Sequence, residues 1–178
     1  MPSIPFAVRL RVLAVAWAGL TLAGLGIATA TLFTGRPVPL PDPRWLVPVV
    51  VVLFVAGVVF TMAVQSRPGY SWWHMAIGGS GAPLLVVSLL GLGLALTGFL
   101  ATGLGIPGDP SPGCPHPISR PTAEHCVDAD EYDRVAAGTQ RWVVGLAAMF
   151  FAEFTRHAVN LSVRRRRPPL SSTVDNPL

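Results

Sequence analysis

The sequence predicts an all-α integral membrane protein: a bundle of four transmembrane helices with one longer, disulfide-stapled outer loop between the third and fourth. Three observations predict it. Of its 178 residues, 51% are hydrophobic and 12% charged, against about 25% charged in a soluble domain. The apolar residues gather in stretches of the length a span requires, about 20 residues for about 30 Å of hydrocarbon. Most charged residues lie between and beyond those stretches.

The first stretch, Val12 to Phe33, contains no charge. Arg9 and Arg11 before it and "ATA" at Ala28 to Ala30 have the look of a secretory signal. Its apolar run of about 22 residues exceeds the 7–15 of a signal core, so a retained anchor is expected. The link "GRPVPLPDPR" has proline at every second position from 37 to 43, which makes an extended, stiff spacer. The second stretch, Trp45 to Val64, has Pro48 near its start, in a first turn where a missing N–H does no harm.

The apolar run from Trp72 to Ile106 is too long for one span. The glycine-rich "GGSG" at Gly78 to Gly81, followed by Pro83, breaks it. "YSWWHMAI" then reads as an interfacial segment, and the third span as 83–106. The fourth, Trp142 to Val163, contains Glu153, Arg156 and His157. Trp45, Trp72, Trp73 and Trp142 all fall near span ends, where the amphipathic indole prefers to lie. The domain organisation is thus a four-span membrane domain over 1–163, with the outer loop at 107–141, and a polybasic, disordered cytoplasmic tail over 164–178.

Arginine placement sets the orientation. All 13 basic residues are arginine, a composition that points to a high-GC bacterium. With the N-terminus inside, Arg9, Arg11, Arg67 and Arg164 to Arg167 lie on the inner side, against Arg36, Arg44, Arg120 and Arg134 in the outer loops and Arg141 at the outer edge of the fourth span. The outer loop carries Asp109, Glu124, Asp128, Asp130, Glu131 and Asp133. The expected location is the plasma (inner) membrane, with both termini cytoplasmic and the cysteine loop outside. No basic-aromatic pattern suits nucleic acid.

"GCPHPISRPTAEHC", Gly113 to Cys126, holds the only two cysteines. On the oxidising side, Cys114 and Cys126 are expected to form a disulfide. The competing reading is a zinc set of Cys114, His116, His125 and Cys126. Its C-x-H and H-C spacing departs from the usual C-x2-4-C with H-x3-5-H, so no metal is expected. The layout resembles four-span thiol oxidoreductases, and tetraspanin- and claudin-like proteins, but their further cysteine motifs are missing here.

Other candidates are few. Gly78-Gly79-Ser80-Gly81 fits the G-x-S-G around the nucleophile of rhomboid-type intramembrane proteases, a resemblance confined to these residues. It implies Ser80 as nucleophile with His157 or His74 as base; the alternative is a glycine-rich breaker. Ser80 and His157 are therefore secondary catalytic candidates, and no catalytic set is assigned. Arg164, Arg165, Arg166 and Arg167 are expected to meet anionic headgroups at the inner leaflet and to hold the C-terminus inside. Small residues recur four apart at Ala14/Ala18, Gly19/Ala23, Gly24/Ala28, Gly91/Ala95 and Gly98/Thr102, a spacing that lets helix backbones approach closely.

Glu153 lies near the midplane of the fourth span, with Arg156 at i+3 and His157 at i+4 on the same helix face. Ionisable groups at that depth are costly and often functional. No cofactor motif is found. The expectation is a non-catalytic subunit or accessory/assembly factor of a larger membrane complex, partnered by the bilayer and other integral membrane proteins. The alternatives are a small transporter or proton-linked protein using Glu153, and an intramembrane serine hydrolase using Ser80.

Overall fold

The structure, a computed structural model, describes residues 6–40, 43–65, 82–121 and 123–164. In chain order these form α1 (Phe6–Thr34), α2 (Pro43–Gln65), α3 (Ala82–Thr102), β1 (Ile106–Pro107), β2 (Pro117–Ser119), β3 (Glu124–Cys126) and α4 (Ala129–Arg164). The fold is mostly helical, and all four helices are long and apolar enough to cross a membrane. The sequence "YSWWHMAIGGSG" and the tail after Arg164 lie outside the described residues.

α4 is the hub: α1, α2 and α3 all pack against it. Glycine makes the closest approaches possible. A Cβ on Gly98 would lie 2.5 Å from the backbone N of Trp142 and 2.6 Å from the carbonyl O of Gly138. One on Gly145 would lie 2.8 Å from the N of Ala95. On the other flank, a Cβ on Gly24 would meet the carbonyl O of Val144 at 3.0 Å and the Cβ of Ala148 at 3.1 Å. The small-residue stripes at Gly24/Ala28, Gly91/Ala95 and Gly98/Thr102 are thus spent inside the chain. Gly19 and Ala23 lie on the exposed side of α1, and nothing stands within 4 Å of a Cβ on Gly19.

The apolar core is aromatic. Trp17 is fully buried, with ring centroids 5.6 Å from both Phe60 of α2 and Phe154 of α4. Its indole Nε1–H donates to the carbonyl of Leu53 at 3.1 Å, which joins α1 to α2. Gly57 leaves room for Phe154, whose ring would collide with any Cβ there. Aromatic pairs at such separations add about 0.5–1.5 kcal/mol beyond their buried area.

α1 begins at Phe6, ahead of Val12, and so takes in Arg9 and Arg11. Three other boundaries differ from the sequence reading, each for a local reason. α3 ends at Thr102 rather than Ile106. Gly103 and Leu104 take left-handed φ of 56° and 64°, and Gly105 N–H closes back on the Thr102 carbonyl at 2.9 Å. Ile106 is thereby released into β1. α2 begins at Pro43, which fits the first helical position. Pro48 therefore lies in the second turn, inside the helix, where its missing N–H removes one internal bond.

The third difference is the largest. The helix containing the fourth span starts at Ala129, well before Trp142, so the region 107–141 is more than a loop. Asp128 caps it, its Oδ1 accepting from the N–H of Glu131 at 2.7 Å. Asp-x-x-Glu is capping-box spacing, and Asp130 and Glu131 in the first turn favour the positive end of the helix dipole. At about 1.5 Å per residue, its 36 residues make a rod of about 54 Å, well beyond the ~30 Å of hydrocarbon.

The rest of that region is a three-stranded antiparallel sheet in the order β1-β2-β3. Ile106 pairs with Ser119, and Ile118 with His125. Ile118 is fully buried, and Val135 of α4 is 4% exposed. The hydroxyl of Tyr132 donates to the carbonyl of Gly108 at 3.2 Å, tying the sheet to α4.

Candidate functional site

The site centres on Glu153. It lies on α4, one helical turn before Arg156, so the two side chains share a face. Nε of Arg156 donates to Oε2 of Glu153 at 2.9 Å, and Nη2 donates to the same oxygen. The arginine side chain is 2% exposed and that of the glutamate 27%. Nη1 of Arg156 is buried and has no hydrogen-bond partner among the described residues.

The other carboxylate oxygen reaches a neighbouring helix. Oε1 of Glu153 accepts from the hydroxyl of Ser88 on α3 at 2.9 Å. The same hydroxyl stands 3.0 Å from the Leu84 carbonyl. A hydroxyl has one proton to give, so it serves these acceptors by turns or shares itself between them. His157 follows in the chain and is 3% exposed. The Thr155 hydroxyl bonds back to the Phe151 carbonyl at 2.8 Å, so that polar group is satisfied within α4.

A buried ion pair is not by itself a source of stability, because desolvation offsets the attraction. Here the pair is within one helix, so it does not hold helices together. The Ser88 bond does. The chemistry available is a carboxylate held by a guanidinium on one oxygen and a serine proton on the other.

The structure pairs Glu153 with Arg156 as the helical spacing requires, and buries His157 one residue further on. Ser88 was not legible as their partner. The signal is there: it is the one hydroxyl-bearing residue in the first half of α3, with Thr97 and Thr102 in the second. The secondary candidate Ser80 lies outside the described residues, as do Arg165, Arg166 and Arg167; the backbone of Arg164 closes α4.

At the other end of the bundle, Cys114 and Cys126 stand at disulfide distance, with Cα atoms 5.5 Å apart. The His116 ring lies 5.3 Å from that of Tyr132, and His125 is exposed on β3. Among the described residues, no group of three or more His, Cys, Asp or Glu is placed to hold a metal ion.

Two polar residues of α4 bind α1 and its trailing link: Arg141, which the sequence marks only as a charge at the outer edge of the fourth span, and Gln140, to which it gives no role. Arg141 is 6% exposed; its Nη2 donates to the Thr31 carbonyl at 2.7 Å and its Nε to the Thr31 hydroxyl at 3.4 Å. A cation at a helix C-terminus is favoured by the dipole, and Gly35, with φ of 64°, bonds the same carbonyl at 3.1 Å. Gln140 clamps the backbone of Val38, accepting from its N–H at 2.8 Å and donating to its carbonyl at 2.9 Å.

No protein-family model, no curated protein and no solved structure matches this chain.

Proposed function

We propose that this protein is a four-span membrane protein of a bacterial inner membrane that serves as a non-catalytic subunit or accessory factor of a larger membrane complex. Both termini face the cytoplasm and the cysteine loop faces outward. The observation that carries the reading is how the polar side chains inside the bundle are used. Trp17 joins α1 to α2, Ser88 and Glu153 join α3 to α4, and Arg141 joins α4 to α1. These groups are engaged in holding helices, as in a scaffold. Along α2, the side chains of Val49, Val52, Val55, Val59 and Met62 form an outward stripe, each more than half exposed. Valine loses little rotamer freedom when a neighbouring helix covers it, so this stripe suits contact with another membrane-embedded helix.

Purification of the full chain in mild detergent tests the reading. Membrane proteins recovered in fixed stoichiometry are the expected result, and a bulky polar substitution in the stripe, Val55→Gln, should release them. A lone, fully functional homo-oligomer would argue against it.

A second reading has its own observation. The Ser88 proton is shared between Glu153 and Leu84. A proton taken up on Oε1 of Glu153 would let the carboxyl donate to Ser88 while Ser88 donates to Leu84, leaving no acceptor unserved. Arg156 would then lose its counter-charge, and a change of state with that consequence suits a proton-linked protein. Loss of function in Glu153→Gln with partner recovery intact would favour it over the subunit reading.

A further inference from the structure

We propose that the end of the bundle bearing the cysteine loop contains a binding site for a phosphate ester group, of the kind carried by a glycerophospholipid headgroup. The site is a cavity of about 450 Å³ between the ends of α1 and α3 and the first turns of α4. That volume lies within the range of small-molecule sites, about 300–1,000 Å³. The placement of the site at a membrane surface rests on the four-span reading above; its charge chemistry does not.

The lining includes Arg36, Arg134 and Arg141 against Asp130 and Asp133. The wall therefore carries one uncompensated positive charge. Arg36 and Asp133 approach each other at 3.9 Å and offset one another. Arg134, Arg141 and Asp130 remain, and none of these makes an ion pair among the described residues. Arg141 is the base of the site. It is buried, and Thr31 occupies its Nε and Nη2. A guanidinium has five N–H donors in a planar fork, so donors remain beyond those two bonds. Guanidinium groups recognise phosphate through such paired donors. Arg134 is one heptad before Arg141 on α4 and exposed, so both arginines lie on one face of that helix.

The same cavity has an apolar edge. Leu32 and Ala101 line it. Phe33 and Leu100, their chain neighbours, are 84% and 76% exposed. Basic side chains lining a cavity whose edge adjoins exposed apolar residues at the ends of α1 and α3 suit a headgroup with acyl chains attached. A water-soluble phosphate ester would use the arginines alone.

The test uses the full-length protein in detergent. Short-chain phosphatidylglycerol, short-chain phosphatidylcholine, glycerol 3-phosphate and inorganic phosphate are titrated separately, and bound species are counted by native mass spectrometry. Arg134→Gln is the main variant, because its side chain makes no ion pair among the described residues; Arg141→Gln is the second. Arg120→Gln, which disturbs a surface pair with Glu131 at the same end, is the control. Loss of one charge-assisted contact should raise Kd by about tenfold in Arg134→Gln and leave Arg120→Gln unchanged. Binding of the lipids alone identifies a headgroup site. Comparable binding of glycerol 3-phosphate identifies a site for free phosphate esters. Equal affinity in wild type and Arg134→Gln, or no binding of any probe, overturns the proposal. Resistance of the protein to alkaline extraction from membranes is measured in parallel, so that failure of the four-span reading is seen separately.

Discussion

The hydroxyl of Ser88 on α3 and the carboxylate of Glu153 on α4 are joined at 2.9 Å, and this bond locks two helices together at the depth of the ion pair. Ser88→Ala removes the donor and leaves one carboxylate oxygen without it. Interhelical bonds in membrane bundles average about 0.6 kcal/mol and reach about 1.7. The expected loss lies in that range, read by reversible unfolding in mixed micelles. Glu153→Leu should cost more, about 3–5 kcal/mol, because it strands the buried Arg156. Equal stability of Glu153→Leu and wild type would show that Arg156 does not depend on Glu153.

Gly98 is the tightest contact between α3 and α4, with backbone atoms 2.5 and 2.6 Å from an added Cβ. Backbone cannot swing aside as a side-chain tip can, so Gly98→Ala must push the helices apart. The expected cost is about 1–3 kcal/mol, as for overpacked cores. Gly19→Ala is the matched control. It meets nothing within 4 Å, and replacing a helical glycine gains about 1 kcal/mol of propensity. The two variants should shift the unfolding midpoint in opposite directions.

Cys114 and Cys126 are expected to be oxidised in the mature protein. Denatured, unreduced protein should resist alkylation at both until reductant is added. The enclosed loop, with a sequence separation of 12, limits the stabilisation to about 3 kcal/mol in the chain-entropy model. Reduction should loosen β2 and β3, whose residues Pro117 and Cys126 pair, and leave the helices intact. Amide exchange that rises in the sheet but not in α4 would show this. Free thiols before reduction would refute it.

The orientation is tested with a periplasm-active reporter fused after Leu178 and, separately, within Pro107 to Asp109. Activity is expected only at the second position. The reverse pattern would invert the topology, and with it the leaflet in which the cavity around Arg141 opens.

Four apolar helices, the cysteine pair as neighbours, and Glu153 with Arg156 on one helix face follow from the order of residues alone. Each of these depends on composition or on spacing within a few residues, where helix periodicity is enough. The sequence also marks the small-residue stripes, but not which of them would be used. Gly24/Ala28, Gly91/Ala95 and Gly98/Thr102 turn toward α4, while Gly19/Ala23 turns away. That choice depends on how each helix is rotated, which a local pattern does not encode. The start of α4 at Ala129 is written in the sequence, in Asp128 and the acids after it, but these lie ahead of the apolar stretch that marks the span. That Ser88 meets Glu153, that Arg141 binds the end of α1 and that Gln140 grips Val38 emerge with the packing of the helices. The bonds from α4 to α1 and to Val38 join residues more than a hundred positions apart. Nothing near either partner announces such a bond, because its geometry exists only once the helices have packed.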